Sequence, residues 1–198
     1  VLGIIPSRYA STRFPGKPLV DLCGKTMIER VYEQCSAARV LDYLVVATDD
    51  ERIFQHVKRF GGECMMTKSD HANGTSRCNE VVSLLEKQQQ YYDVVINIQG
   101  DEPFIEAVQL EQLVELFDEP GTQITSLINK IKHVDELWSQ NVVKAVRKLN
   151  GEALYFSRHP IPFLRDVERD QWMNREVFYK HLGLYAFRTD VLREISCL

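Results

Sequence analysis

The segment Ile4-Ile5-Pro6-Ser7-Arg8-Tyr9-Ala10-Ser11-Thr12-Arg13-Phe14-Pro15-Gly16-Lys17-Pro18-Leu19 carries three cations and no acid. The whole chain has a formal net charge of -4, so the cluster of Arg8, Arg13 and Lys17 is a local feature of one loop. Fixed cationic donors, small hydroxyl residues and a glycine that lets backbone N–H groups come close are the parts of a polyphosphate cradle. Most charge clusters are simply solvated. This one directly follows the apolar run VLGII, and α/β proteins place ligands just beyond the carboxyl ends of such strands. A phosphate cradle is the better reading.

It is neither of the two common phosphate motifs. Gly16-Lys17 is followed by Pro18 and has Ser11 where a Walker loop needs its first glycine; Gly24-Lys25-Thr26 has Leu19 there. No G-x-G-x-x-G occurs either.

A second segment with chemistry is Asn97-Ile98-Gln99-Gly100-Asp101-Glu102-Pro103. A strand-like run from Asp93 to Ile98 ends in Gly-Asp-Glu-Pro, which aims carboxylates over the edge of a sheet. Asp101 suits Mg²⁺, a hard cation that takes one or two carboxylates plus nucleotide phosphates. Alone, the same residues could merely open the next helix; beside a cationic loop, the metal role is preferred. In His71-Ala72-Asn73-Gly74-Thr75-Ser76-Arg77, Thr75 could cap a helix. Arg77 falls in its first turn, where a cation opposes the dipole and wants an external anion or acceptor. Asp49-Asp50 is expected to cap a helix from Glu51. Further on, Ser157-Arg158 closes a strand, and His181 and Tyr185 share one strand face across Gly183, which leaves space between them. With Arg158 as a carboxylate partner, these could shape a site for a polar anion. A histidine and a tyrosine satisfied in the core would look the same.

The elements that position these residues alternate. Strands are expected at 1–6, 43–48, 63–66 and 93–99. Between and after them run apolar stripes of helical period: Ile28, Val31, Tyr32, Cys35; Ile53, Phe54, Val57, Phe60; Cys78, Val81, Val82, Leu85; and Leu110, Leu113, Val114, Phe117. Alternation of this kind points to a mixed, mostly parallel sheet with helices on both faces, an α/β fold. The rest reads as a strand over 122–131, a hairpin of 142–149 and 152–157 about Asn150-Gly151, a charged irregular loop over 165–176, a strand over 178–188 and a short helix over 190–196. One domain is expected over 1–198, its front half (about 1–120) binding nucleotide and its back half (about 121–198) contacting substrate.

Composition narrows the class. The chain is 44% hydrophobic and 26% charged with pI near 5.8, which disfavours non-specific binding to nucleic acid or membrane. No run has the length of a membrane span. Five scattered cysteines without a C-x-x-C spacing argue for reduced thiols in the cytoplasm.

Taken in order, I-I-P-S-R-Y-A-S-T-R-F-P-G-K-P-L, V-A-T-D-D, H-x-x-G-T-x-R, N-I-Q-G-D-E-P, A-L-Y-F-S-R and H-L-G-L-Y strongly resemble the 3-deoxy-manno-octulosonate (KDO) cytidylyltransferases, within the sugar nucleotidyltransferases. The resemblance runs over nearly the whole chain. It implies a Rossmann-like, GT-A-like nucleotidyltransferase fold, Mg²⁺ dependence, a homodimer and a cytoplasmic role in activating KDO for lipopolysaccharide. By motif, Arg8, Ser11, Arg13 and Lys17 would clamp the CTP phosphates, with Arg77 on the nucleotide side. Asp101 would bind Mg²⁺, and Gln99, Arg158, His181 and Tyr185 would hold KDO. Arg8, Lys17 and Asp101 would carry the catalysis. The family usually has Ser at position 73 and an acid at 76, where this chain has Asn73 and Ser76. It also continues past a point like Leu198 to a G-x-D-T segment whose Asp is a second metal ligand, so this chain is expected to be part of a longer one. The rival expectations are a cytidylyltransferase for another acidic sugar, and a nucleotide-binding protein without turnover.

Overall fold

The computed structural model describes residues 1–10 and 14–197. Four strands, β1 (Leu2–Ser7), β2 (Tyr43–Thr48), β3 (Cys64–Met66) and β4 (Val94–Asn97), pair in parallel, with β1 between β2 and β4 and β3 outside β2. Five of the six β1 residues are buried, the continuous apolar pattern of a strand covered on both faces. The crossovers are helical: α1 (Met27–Ser36) joins β1 to β2, α2 (Glu51–Arg59) joins β2 to β3, and α3 (Gly74–Lys87) joins β3 to β4. Each starts where a side chain caps it. Thr26 accepts from the Glu29 N–H, Asp50 from that of Arg52, and Asn73 from that of Ser76. The last is a correction. Thr75 was the expected cap, but Asn73 precedes the first helical residue and Ser76 completes a reciprocal capping box.

After α4 (Ala107–Glu115) come β5 (Ile124–Lys130), α5 (Val134–Trp138), β6 (Lys144–Arg147), β7 (Ala153–Ser157), α6 (Trp172–Arg175), β8 (Tyr179–Arg188) and α7 (Thr189–Ser196). The end of β8 runs antiparallel to β4, from Asn97 opposite Tyr185 to Val94 opposite Arg188. The ladder order is β3-β2-β1-β4-β8-β6-β7, with β5 also pairing β8, an eight-stranded mixed sheet among the described residues.

The chain forms two compact units, 1–125 with 184–198, and 126–183. The first has its core where Leu2, Ile4, Val45, Ala47 and Val95 meet Cys78, Val81, Val82 and Leu85 of α3 and Leu192 of α7. The second contains the expected hairpin of β6 and β7 about Asn150-Gly151, and β6 also pairs the start of β8. Its own small core is Ile131, Leu137, Trp172 and Phe178. That cluster overturns the expectation of an irregular loop over 165–176. Trp172 is only 2% exposed, its indole N–H donates to the Val167 carbonyl at 3.0 Å, and it orders a short 3-10 turn (Arg169–Gln171) and α6. One aromatic among nine charged or amide neighbours leaves no periodic trace.

Because Trp172 fills the centre of the smaller core, Trp172→Ala is expected to destabilise the second unit by about 3–5 kcal/mol, as large core truncations do. Urea unfolding followed through Trp138 measures it.

Candidate active site

Four parallel strands end at one edge of the sheet, and the loops that leave that edge carry Arg8, Lys17, Gln99 and Asp101. Arg8 directly follows β1. The loop it opens is closed by the Gly16 N–H donating to the Tyr9 carbonyl at 2.8 Å, with Gly16 in the left-handed region (φ 73°). Lys17 then begins a 3-10 turn (Lys17–Leu19). Its ammonium donates to Asp101 Oδ2 at 2.6 Å, so the two motifs singled out as phosphate and metal ligands touch although 84 residues apart. Ser11 and Arg13 lie outside the described residues.

Asp101 reaches that position because Gly100 has no side chain. A Cβ there would stand 2.9 Å from Ser7 Oγ and 3.2 Å from the Pro6 carbonyl oxygen. Asp101 and Lys17 are both partly exposed, at 46% and 36%. Beside them the Glu102 carboxyl is raised above the ordinary value, first by burial and then by the charge of Asp101, with Lys17 opposing. Two adjacent acids are thus incompletely neutralised by one lysine. An oxygen-only, part-exposed donor set of this kind fits a hard divalent cation. Among the described residues no group of three or more His, Cys, Asp or Glu side chains could hold a metal, so Asp101 is not part of a closed protein cage.

Arg77 lies where expected along the chain, but its partners are internal rather than external. It is fully buried in the first turn of α3, donating from Nη1 to Thr67 Oγ1 at 2.5 Å and pairing with Asp49 Oδ1 at 3.4 Å. Its anion is internal. Asp49 was overlooked because Asp50 explains the Asp-Asp pair as a cap. An overlooked cation is Arg52, whose guanidinium stands 3.3 Å over the Tyr9 ring centroid and pairs with Asp50, holding that carboxyl below its usual value.

Of the candidate sugar ligands, Gln99 and Tyr185 belong to the first unit. Gln99 lies two residues past the end of β4, and Tyr185 sits opposite Asn97 in the β4–β8 ladder, its hydroxyl raised by burial. Arg158 and His181 belong to the second unit. His181 Nε2 is 2.7 Å from the Ser126 hydroxyl, the Phe156 ring packs at 4.8 Å, and burial pulls the imidazole below its ordinary value. It is therefore neutral near pH 7. Arg158 donates from Nη1 to the Gln140 carbonyl at 3.0 Å and reaches that of Asn141 at 3.4 Å. Its Nε and Nη2 have no acceptor among the described residues.

A sheet edge that gathers a cationic loop and a part-exposed aspartate defines a nucleotide-handling enzyme. Comparison with known proteins makes the class specific: the sequence profile of the cytidylyltransferase family matches residues 2–198, and the chain belongs to that family. It is 52% identical over 200 residues to the 3-deoxy-manno-octulosonate cytidylyltransferase of Phocaeicola vulgatus, spanning all of this chain and 77% of that protein. It is 51% identical over 201 residues to the enzyme of the same name from Bacteroides thetaiotaomicron, again over the whole chain and 78% of the relative. Among solved structures, a CMP:2-keto-3-deoxy-manno-octonic acid synthetase complexed with CTP matches with a TM-score of 0.88 and 40% identity, covering all of this chain and 77% of that one. A cytidylyltransferase from Leptospira borgpetersenii matches at TM-score 0.61 with 15% identity, a likeness of fold. The expected nucleotidyltransferase fold is thereby established, and the chain is a nucleotidyltransferase.

Removing the carboxylate of Asp49 leaves the buried Arg77 charge without its anion. Asp49→Ala is expected to cost about 3 kcal/mol, the low end for a broken buried pair because Asp49 is 20% exposed. Chemical denaturation reads it out.

Proposed function

We propose that this chain transfers CMP from CTP to KDO, releasing pyrophosphate, and so activates the sugar for lipopolysaccharide assembly. The observation that carries the reading is the 2.6 Å contact of Lys17 with Asp101, which supports a phosphate role for the cation and a metal role for the carboxylate at the sheet edge. The named relatives support the choice of CTP and KDO.

The chemistry is positioning and charge neutralisation, with no covalent enzyme intermediate needed. Arg8 and Lys17, with Ser11 and Arg13, bind the triphosphate. Asp101 holds Mg²⁺, which when bound offsets charge on the phosphate under attack. As nucleotide arrives, the Lys17 ammonium exchanges the Asp101 carboxylate for phosphate oxygens and then steadies the departing pyrophosphate. Arg77 serves from inside, tying the first turn of α3 to Asp49 and Thr67. Gln99, Tyr185, Arg158 and His181 are each read as ligands of KDO. Arg158 takes the sugar carboxylate on Nε and Nη2, while neutral His181 offers a hydrogen bond without a second positive charge. The anomeric hydroxyl then attacks the α-phosphorus in line.

We also infer a homodimer. β7 is an edge strand, and Leu154, Tyr155 and Phe156 on it are 57%, 60% and 40% exposed, so consecutive apolar side chains on both its faces lack cover. We place the reaction in the cytoplasm. In support, all five cysteines are free thiols, and burial pushes those of Cys35 and Cys64 up to about 12, where they are inert. No helix among the described residues is long and apolar enough to cross a membrane.

Pyrophosphate release from CTP and Mg²⁺ with a panel of acidic sugars tests the assignment. KDO is expected to turn over and sialic acid to be idle; turnover with another acidic sugar in place of KDO would transfer the reading to that sugar. In the same assay Asp101→Ala is expected to abolish turnover, and Lys17→Ala to lower it by roughly 10²-fold or more, as loss of a transition-state charge partner does. For the dimer, Leu154→Asp is expected to sediment as a monomer where the parent chain sediments as a dimer.

A further inference from the structure

Lys144 opens β6 with a side chain that is wholly buried, yet among the described residues it makes no ion pair. Its ammonium instead donates to three main-chain carbonyls: Ser139 at 2.6 Å, Val142 at 3.0 Å and Arg158 at 2.9 Å. All three of its protons are used, which is what lets a buried cation exist without a carboxylate. Burial still disfavours its charge, with the nearby Arg158 adding repulsion.

The connections are specific. The Ser139 and Val142 carbonyls bound the turn between α5 and β6, and the other two carbonyls of that turn, Gln140 and Asn141, are taken by Arg158 Nη1. Lys144 thus grips the Arg158 backbone and the two ends of the turn, while the Arg158 guanidinium grips its middle. The next strand is tied in as well: the His181 N–H donates to the Val143 carbonyl at 2.8 Å, one residue before Lys144. A methionine or leucine would fill this buried space more cheaply. A lysine here does what they cannot, gathering carbonyls from separate segments onto one point.

We propose that Lys144 is a positioning residue for sugar binding: by clamping the 139–142 turn to the Arg158 carbonyl, it aims the Arg158 guanidinium at the carboxylate of KDO. Its role is to hold Arg158, with no contact of its own to substrate. The inference rests on the assignment of Arg158 to the sugar carboxylate given above.

A double-mutant cycle on the KM for KDO tests it, using Lys144→Met, Arg158→Ala and the pair. Lys144→Met alone is expected to raise the KM for KDO at least about tenfold, within the roughly 10²-fold that a misplacement near 1 Å can cost. The KM for CTP should stay within about twofold, because the nucleotide residues lie in the other unit. In the Arg158→Ala background, Lys144→Met should add nothing further, since the residue it positions is gone. A structural role alone would move both KM values or multiply with Arg158→Ala, and would overturn the proposal. Were Lys144→Met too unstable to bind CTP, Lys144→Gln, which keeps a hydrogen-bonding head on a shorter stem, takes its place in the cycle with the same expectations. If Arg158→Ala raises the KM for KDO and Lys144→Met does not, the inference about Lys144 fails alone. If Arg158→Ala leaves that KM unchanged, the assignment of Arg158 fails, and the premise with it.

Discussion

The parallel pairing of β1 with a neighbour on each side is the constraint on which the rest of the first unit depends. β1 is buried along its length and bonded to β2 and β4 in the same direction, so three consecutive crossovers must return over the faces of the sheet. Every loop leaving a carboxyl end then emerges at one edge. That brings Arg8 and Lys17, Asp49, Thr67 and Asp101 to one edge of the first unit from four stretches of chain. Gly100 shows how tightly the arrangement is drawn, since one added methyl would meet Ser7 and Pro6.

The protein manages its buried and half-buried cations in three ways, each matched to a task. Lys17 is partly exposed and paired with one carboxylate, an arrangement weak enough to be exchanged for a ligand. Arg77 is fully buried and held by Asp49 and Thr67, a contact costly to break and suited to fixing a helix start. Lys144 is fully buried and solvated by carbonyls alone, which binds separate segments without neutralising the charge. Exposure and partner type, rather than the presence of a cation, separate the partly exposed group from the internal ones.

Much of this was legible in the sequence, for identifiable reasons. The strands of the first unit show as apolar runs because both faces are covered, and their helices show as stripes of helical period because one face is. The segments 4–19 and 97–103 stood out because unusual residue types cluster at strand ends, and the Lys17–Asp101 contact joins the two. What escaped notice depends on distant partners. Nothing local tells that Arg77 turns inward to Asp49, that Lys144 finds carbonyls rather than water, or that Trp172 organises a stretch of charges into turns and a helix. Asn73 lost its capping role to Thr75 in the sequence reading because either type can cap, and only the backbone decides which stands at the boundary.

The central claim is that the Lys17–Asp101 pair is the resting form of a site that opens onto a metal-bound nucleotide. A crystal structure of the chain with CTP and Mg²⁺ tests this most directly. The account predicts that Lys17 Nζ leaves Asp101 for a phosphate oxygen and that an Asp101 carboxylate oxygen coordinates the cation. CTP bound with the 2.6 Å Lys17–Asp101 contact intact and no cation on Asp101 would contradict it.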